Sequence, residues 1–159
     1  MDPDEVRRGV EIANVFIAYR MRSEFEVRRR LKRENIEAEE ADAVVAELVR
    51  MRLLDDRAFA GAYARDQMLG RKRGPLRVRR GLSALGIHKE LAAEAVDEVA
   101  ESLDLLEQAF ELGQKRWANL SRKVDSARRR KRLYDYLVRR GYTYEQARTV
   151  VDRLENEAK

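Results

Sequence analysis

RKRGPLRVRRGLSALGIHKELAAEAVDEV, residues 71 to 99, reads as a basic connector, a helix opened by Pro75, a break at Gly86 and a second helix. Proline in a first helical turn loses no hydrogen bond, and glycine just past a helix end adopts the left-handed backbone that closes it. The chain on either side repeats this unit. Leu31, Leu82 and Leu137 align, and the next apolar anchor follows five residues later at Ile36, Ile87 and Tyr142. Val27, Val78 and Leu133 stand four residues before the leucine; Ala41, Ala92 and Ala147 stand five after the second anchor, and Leu48, Val99 and Leu154 twelve after it. Glu39, Glu90 and Glu145 coincide as well, and Asn35 occupies the place of Gly86 and Gly141. So many aligned positions over intervals of 51 and 55 residues indicate repeated helical units, each too small to bury a core without neighbours. Such arrays bind; they seldom catalyse.

Working outward, Asp2, Pro3 and Glu5 form a helix start, and Val6, Val10, Phe16 and Ile17 carry helical spacing to about Met21, with Gly9 a slight weakness. Ser23 with Glu26 three residues on is a capping pair for the next helix. Asp55 caps a third helix in which Phe59 and Tyr63 are four apart, and Phe110 repeats Phe59 at the spacing of 51. These readings predict an N-terminal helix over 1–22, a three-helix repeat over 23–70, a second over 71–119 and a third over 120–159 with two helices. The expected fold is all-α: an elongated tandem array of three-helix, helix-turn-helix-like repeats, the third truncated, preceded by an N-terminal helix.

Composition narrows the function. The 159 residues are 44% hydrophobic and 40% charged, without cysteine, which excludes disulfides, thiolate metal sites and thiol catalysis and suits a reducing cytoplasm. No apolar run reaches the ~18 residues of a membrane span, and the charged start MDPDEVRR is unlike a signal peptide. Neither a phosphate loop, nor HExxH, nor a nucleotide fingerprint, nor a nucleophile–base pair is present, so no enzyme, cofactor or metal is expected. Asp55 and Asp56 suit a helix start better than a metal, His88 lacks a second ligand, and Trp117 suits packing.

Thirty-four Lys plus Arg against 29 Asp plus Glu leave a net charge of +5, and the basic residues are clustered. Arg71, Lys72, Arg73, Arg77, Arg79 and Arg80 lie in a stretch with no acidic residue between Asp66 and Glu90, and Arg73, Arg77 and Arg80 share helical spacing. Arg129, Arg132, Tyr136 and Arg139 form a second stripe, basic with an interleaved tyrosine. Either could meet nucleic-acid phosphates or the carboxylates of a protein, and charge alone does not choose. The cluster Arg28 to Arg33 is flanked by Glu24, Glu26 and Glu34 and suits internal ion pairs.

Three segments, LLDDRAFAGAYARDQ (53–67), KRGPLRVRRGLSALGI (72–87) and KRLYDYLVRRGYTYEQA (131–147), resemble in order and spacing the RecX proteins, modulators of the recombinase RecA. The resemblance covers roughly residues 15 to 155. Gly81 departs from the polar residue expected before Leu82, at a helix cost of ~1 kcal/mol against alanine. A cytoplasmic monomer is expected, and the resemblance implies a RecA-binding protein that lies along the groove of the RecA–DNA filament, bridges neighbouring subunits and restrains ATP hydrolysis, strand exchange and filament growth. It also implies weak, non-specific affinity for single-stranded DNA, and for double-stranded DNA as a further expectation. The ten basic and tyrosine residues named above are the expected contact surface. The competing expectation is a stand-alone helical DNA-binding regulator that does not act through RecA.

Overall fold

The computed structural model describes residues 1–158. The described chain is helical throughout: α1 (Pro3–Tyr19), α2 (Glu24–Arg33), α3 (Ala38–Arg50), α4 (Asp56–Arg65), α5 (Pro75–Ala84), α6 (Lys89–Glu101), α7 (Leu105–Asn119), α8 (Ser126–Arg140) and α9 (Tyr144–Glu157). A π-helical turn, Asp66–Gly70, continues α4. No helix of the described residues is long and apolar enough to cross a membrane.

The helix starts follow local chemistry. The Asp2 carboxylate accepts from the Asp4 N–H at 2.9 Å with Pro3 in the first turn, and Asp55 accepts from the Ala58 N–H at 3.0 Å. Ser23 and Glu26 close a reciprocal box at α2, as Thr143 and Gln146 do at α9. The left-handed residues between paired helices are Asn35 (φ 61°), Gly86 (φ 77°) and Gly141 (φ 103°), the three positions aligned by the repeat. At Gly86 a side chain would also collide with Phe25, whose Cβ lies 2.2 Å from where a Cβ would stand.

The chain divides into two compact units, residues 1–63 with 82–92 and residues 64–81 with 93 onward. In the first, α1, α2 and α3 pack on one another around Ala13, Val27, Leu31, Ile36, Val44, Val45 and Leu48. In the second, α7, α8 and α9 do the same around Phe110, Leu133, Leu137, Tyr142, Val150 and Leu154. Every apolar position aligned by the repeat is buried.

α1 packs on the pair that follows it, and α7 likewise. Glycine explains both contacts. A Cβ on Gly9 would stand 2.7 Å from Val44 Cγ2, and one on Gly113 would stand 2.7 Å from Val150 Cγ1. Gly9 is therefore no mere weak point; it lets α1 approach α3, and Gly113 lets α7 approach α9 in the same way. Gly61, in α4, lies midway at 52 residues from each.

Candidate interaction surface

The basic connector is pinned rather than loose. The C-terminal carbonyls of a helix have no partner within it and carry partial negative charge. At the end of α8 those carbonyls are met by residues 74–77: the Gly74 N–H donates to the Arg140 carbonyl at 2.7 Å, the Leu76 N–H to the Gly141 carbonyl at 3.1 Å, and Arg77 Nη1 to the Arg139 carbonyl at 3.4 Å. Returning, Arg140 Nη2 donates to the Arg71 carbonyl, and the buried Tyr142 hydroxyl donates to the Lys72 carbonyl at 2.9 Å while accepting from Gln108 at 2.7 Å. Two glycines permit the crossing: a Cβ on Gly74 would stand 2.3 Å from the Gly141 carbonyl carbon, and one on Gly141 would stand 2.4 Å from Arg77 Cβ. Lys72 itself has φ 53°.

This docking brings the cluster 71–77 against Arg139. Along α5 the arginines divide. Arg79 pairs with Asp97 of α6 at 2.6 Å. Arg80 is exposed and has no acidic partner among the described residues. The stripe expected through Arg73, Arg77 and Arg80 is broken, because Arg73 precedes the helix and folds back: its guanidinium donates to the Gln67 carbonyl oxygen and its N–H to the Gln67 main-chain carbonyl at 2.9 Å. Asp66 draws Arg71 (3.7 Å), and Glu111 draws Lys72 (3.9 Å).

The α8 stripe is also divided. Arg129 lies with its Cζ 3.7 Å from the Trp117 ring centroid, and its Nη2 donates to the Trp117 carbonyl at 2.8 Å. Tyr136 is half-buried beneath Arg116, 5.3 Å from its Cζ. Arg132 and Arg139 remain exposed without acidic partners among the described residues. Ten residues of helix separate Arg129 from Arg139, roughly 15 Å, so the two ends of the stripe are distinct places. Arg77, Arg80, Arg132 and Arg139 are thus the guanidiniums of the expected surface left for an outside anion.

Elsewhere, Arg28 pairs with Asp42 at 3.1 Å and Arg30 with Glu34 at 3.0 Å, whereas Glu26 turns to Arg20 at 2.5 Å. The cluster at Arg28 to Arg33 is therefore partly paired within the fold, but only Glu34 of the three flanking glutamates serves it as a close ion-pair partner. Gln67, Gln108, Gly74 and Tyr142 organise the surface although they carry no charge. Their signal in the sequence was limited to Tyr142 standing where other repeats have isoleucine.

Family models for the first, second and third three-helix domains of RecX match residues 11–48, 55–96 and 103–151. The chain belongs to the RecX family. Its curated relatives include the regulatory protein RecX of Geobacillus kaustophilus, 34% identical over 145 residues, and that of Listeria monocytogenes serotype 4a, 29% identical over 159 residues. These alignments cover 89% and 97% of this chain but 52% and 56% of those proteins, so the chain spans about half the length of the curated relatives it matches. A crystal structure of RecX from Lactobacillus salivarius superposes with a TM-score of 0.79 at 22% identity, covering 96% of this chain and 97% of that one. A second, titled regulatory protein RecX, gives 0.82 at 22% identity over 94% of this chain and 72% of that one. The RecX domain spans agree with the packing of α1 with α2 and α3 and of α7 with α8 and α9.

Proposed function

We propose that this chain is a binding protein without chemistry of its own that engages RecA and its filament on DNA and lowers ATP hydrolysis and strand exchange. The observation that carries this reading is kinship with RecX through all three helical domains in order. The contact surface assigned to it is the exposed arginines Arg80, Arg132 and Arg139 with the half-buried Arg77, which the docked connector holds beside Arg139. Guanidiniums serve carboxylates and phosphates alike, so the same surface accounts for a protein contact and for weak affinity to a strand.

The test is the DNA-dependent ATPase rate of RecA filaments on single-stranded DNA, titrated with this protein beside a DNA-only binding control. Inhibition well below one protein per RecA, where bare DNA is mostly unbound, is the expected result. Inhibition that appears only once the strand itself is coated would replace this reading with a stand-alone DNA-binding regulator.

A further inference from the structure

The C-terminal half of α1 carries a surface that neither the core nor the arginine set explains. Val15 is 64% exposed, Tyr19 81% and, just beyond the helix, Met21 51%; with Ile12 and Phe16 the first two line a groove of about 420 Å3 whose other lining residues are Arg22, Arg30 and Glu34. Apolar and aromatic side chains rimmed by arginine are the composition of binding hot spots rather than of solvated helix faces.

The charge in this groove is unbalanced at one residue. Arg22 lies flat on Phe16, its Cζ 3.9 Å from the ring centroid, with Nε donating to the Phe16 carbonyl at 3.3 Å and a side chain only 14% exposed. Both nearby carboxylates have closer partners. Glu26 takes Arg20 at 2.5 Å and the Ser23 N–H at 2.9 Å, standing 4.0 Å from Arg22, and Glu34 takes Arg30 at 3.0 Å. Burial, and then the charges of Arg20 and Arg30, push the Arg22 guanidinium below its ordinary value against the weaker pull of Glu26. Arg22 therefore has one carboxylate at 4.0 Å, shared with Arg20, and a second anion beside it would favour the charged guanidinium that burial and its neighbours disfavour.

We propose that this groove docks an amphipathic helix of a protein partner, which seats apolar side chains on Ile12, Phe16 and Tyr19 and presents a carboxylate to Arg22. The floor from Ile12 to Tyr19 runs roughly 10 Å, two helical turns. Its walls are helices and not a sheet edge, so an extended strand would find no ladder here, whereas a helix arrives with its own main chain satisfied. A nucleic-acid backbone would need a row of free cations over this apolar floor, and the groove has two arginines, Arg30 paired with Glu34 and Arg22 beside Glu26. The proposal requires neither RecA nor DNA.

The experiment uses the full chain and two short fluorescein-labelled synthetic helices, each with leucines at i, i+4 and i+7, one flanked by glutamates and its twin by lysines. In fluorescence anisotropy the acidic helix is expected to bind and the basic twin to bind at least about tenfold more weakly. Val15→Glu, a change at an exposed position, is expected to weaken the acidic helix at least about tenfold with unchanged circular dichroism and melting. Arg22→Gln is expected to erase the preference between the two peptides. Absence of binding, equal binding of both peptides, or indifference to Val15→Glu would overturn the proposal. So would sedimentation showing a dimer that Val15→Glu dissolves, which would make a second copy of the chain the occupant.

Discussion

Tyr142 and Gly141 show how much one residue settles. Where the other repeats place isoleucine, Tyr142 fills the same apolar position and adds a hydroxyl that holds the Lys72 carbonyl and Gln108. Tyr142→Phe leaves that carbonyl and amide without their partner and is expected to cost about 1 to 3 kcal/mol in urea unfolding. Burial, above the opposing effect of Gln108, raises the Tyr142 phenol above its ordinary value. The unfolded phenol therefore ionises first; the contribution is complete below pH about 10 and declines above it. Unfolding midpoints from pH 8 to 11 should fall for the native chain at the alkaline end and fall less for Tyr142→Phe. Gly141→Ala imposes a side chain at φ 103° where a Cβ would stand 2.4 Å from Arg77 Cβ. A loss of at least about 2 kcal/mol is expected from the strain and overpacking together. Leu82→Ala, fully buried, is expected to cost ~2 to 5 kcal/mol; thermal melts measure both.

At the scale of the element, helical spacing tells which residues share a face but not which charges are already spoken for. The apolar anchors were legible because each falls on the inner face of a pair of helices, and the left-handed positions because Asn and Gly are the residues that tolerate them. The packing of α7 on α8 and α9 was not. The first helices of the units share few apolar positions, and the glycines of α1, α4 and α7 that mark them carry no hydrophobic signal. The commitment of Arg73 to Gln67, of Arg79 to Asp97 and of Arg129 to Trp117 was equally hidden, since each partner lies on another segment or in a loop. These assignments separate two classes of arginine. Arg80→Glu with Arg139→Glu is expected to leave melting nearly unchanged while reducing association with RecA filaments on single-stranded DNA. Arg129→Ala is expected to lower the melting temperature by removing the contact with Trp117. Filament co-sedimentation beside thermal melts tests the division; equal filament binding by the double variant would remove this surface from the contact.

For the whole molecule, the count of 34 Lys plus Arg overstates what is available to a polyanion, since many of them are matched by carboxylates within each unit. Binding to bare single-stranded DNA is accordingly expected to be weak, with a log–log salt slope of about −0.7 for each phosphate contacted and only a few contacts in all. Fluorescence titrations at increasing salt measure it, and a slope corresponding to many phosphates would point to a dedicated strand-binding protein.

The chain holds one tryptophan, and it sits beneath Arg129 at the contact between α7 and α8. Its emission is therefore an intrinsic, label-free probe of that contact. During denaturation it reports loss of the fold around α7–α9, while the unit built on α1–α3 remains spectroscopically silent at the tryptophan wavelength. A comparison of that signal with backbone circular dichroism reads out whether the two units melt together.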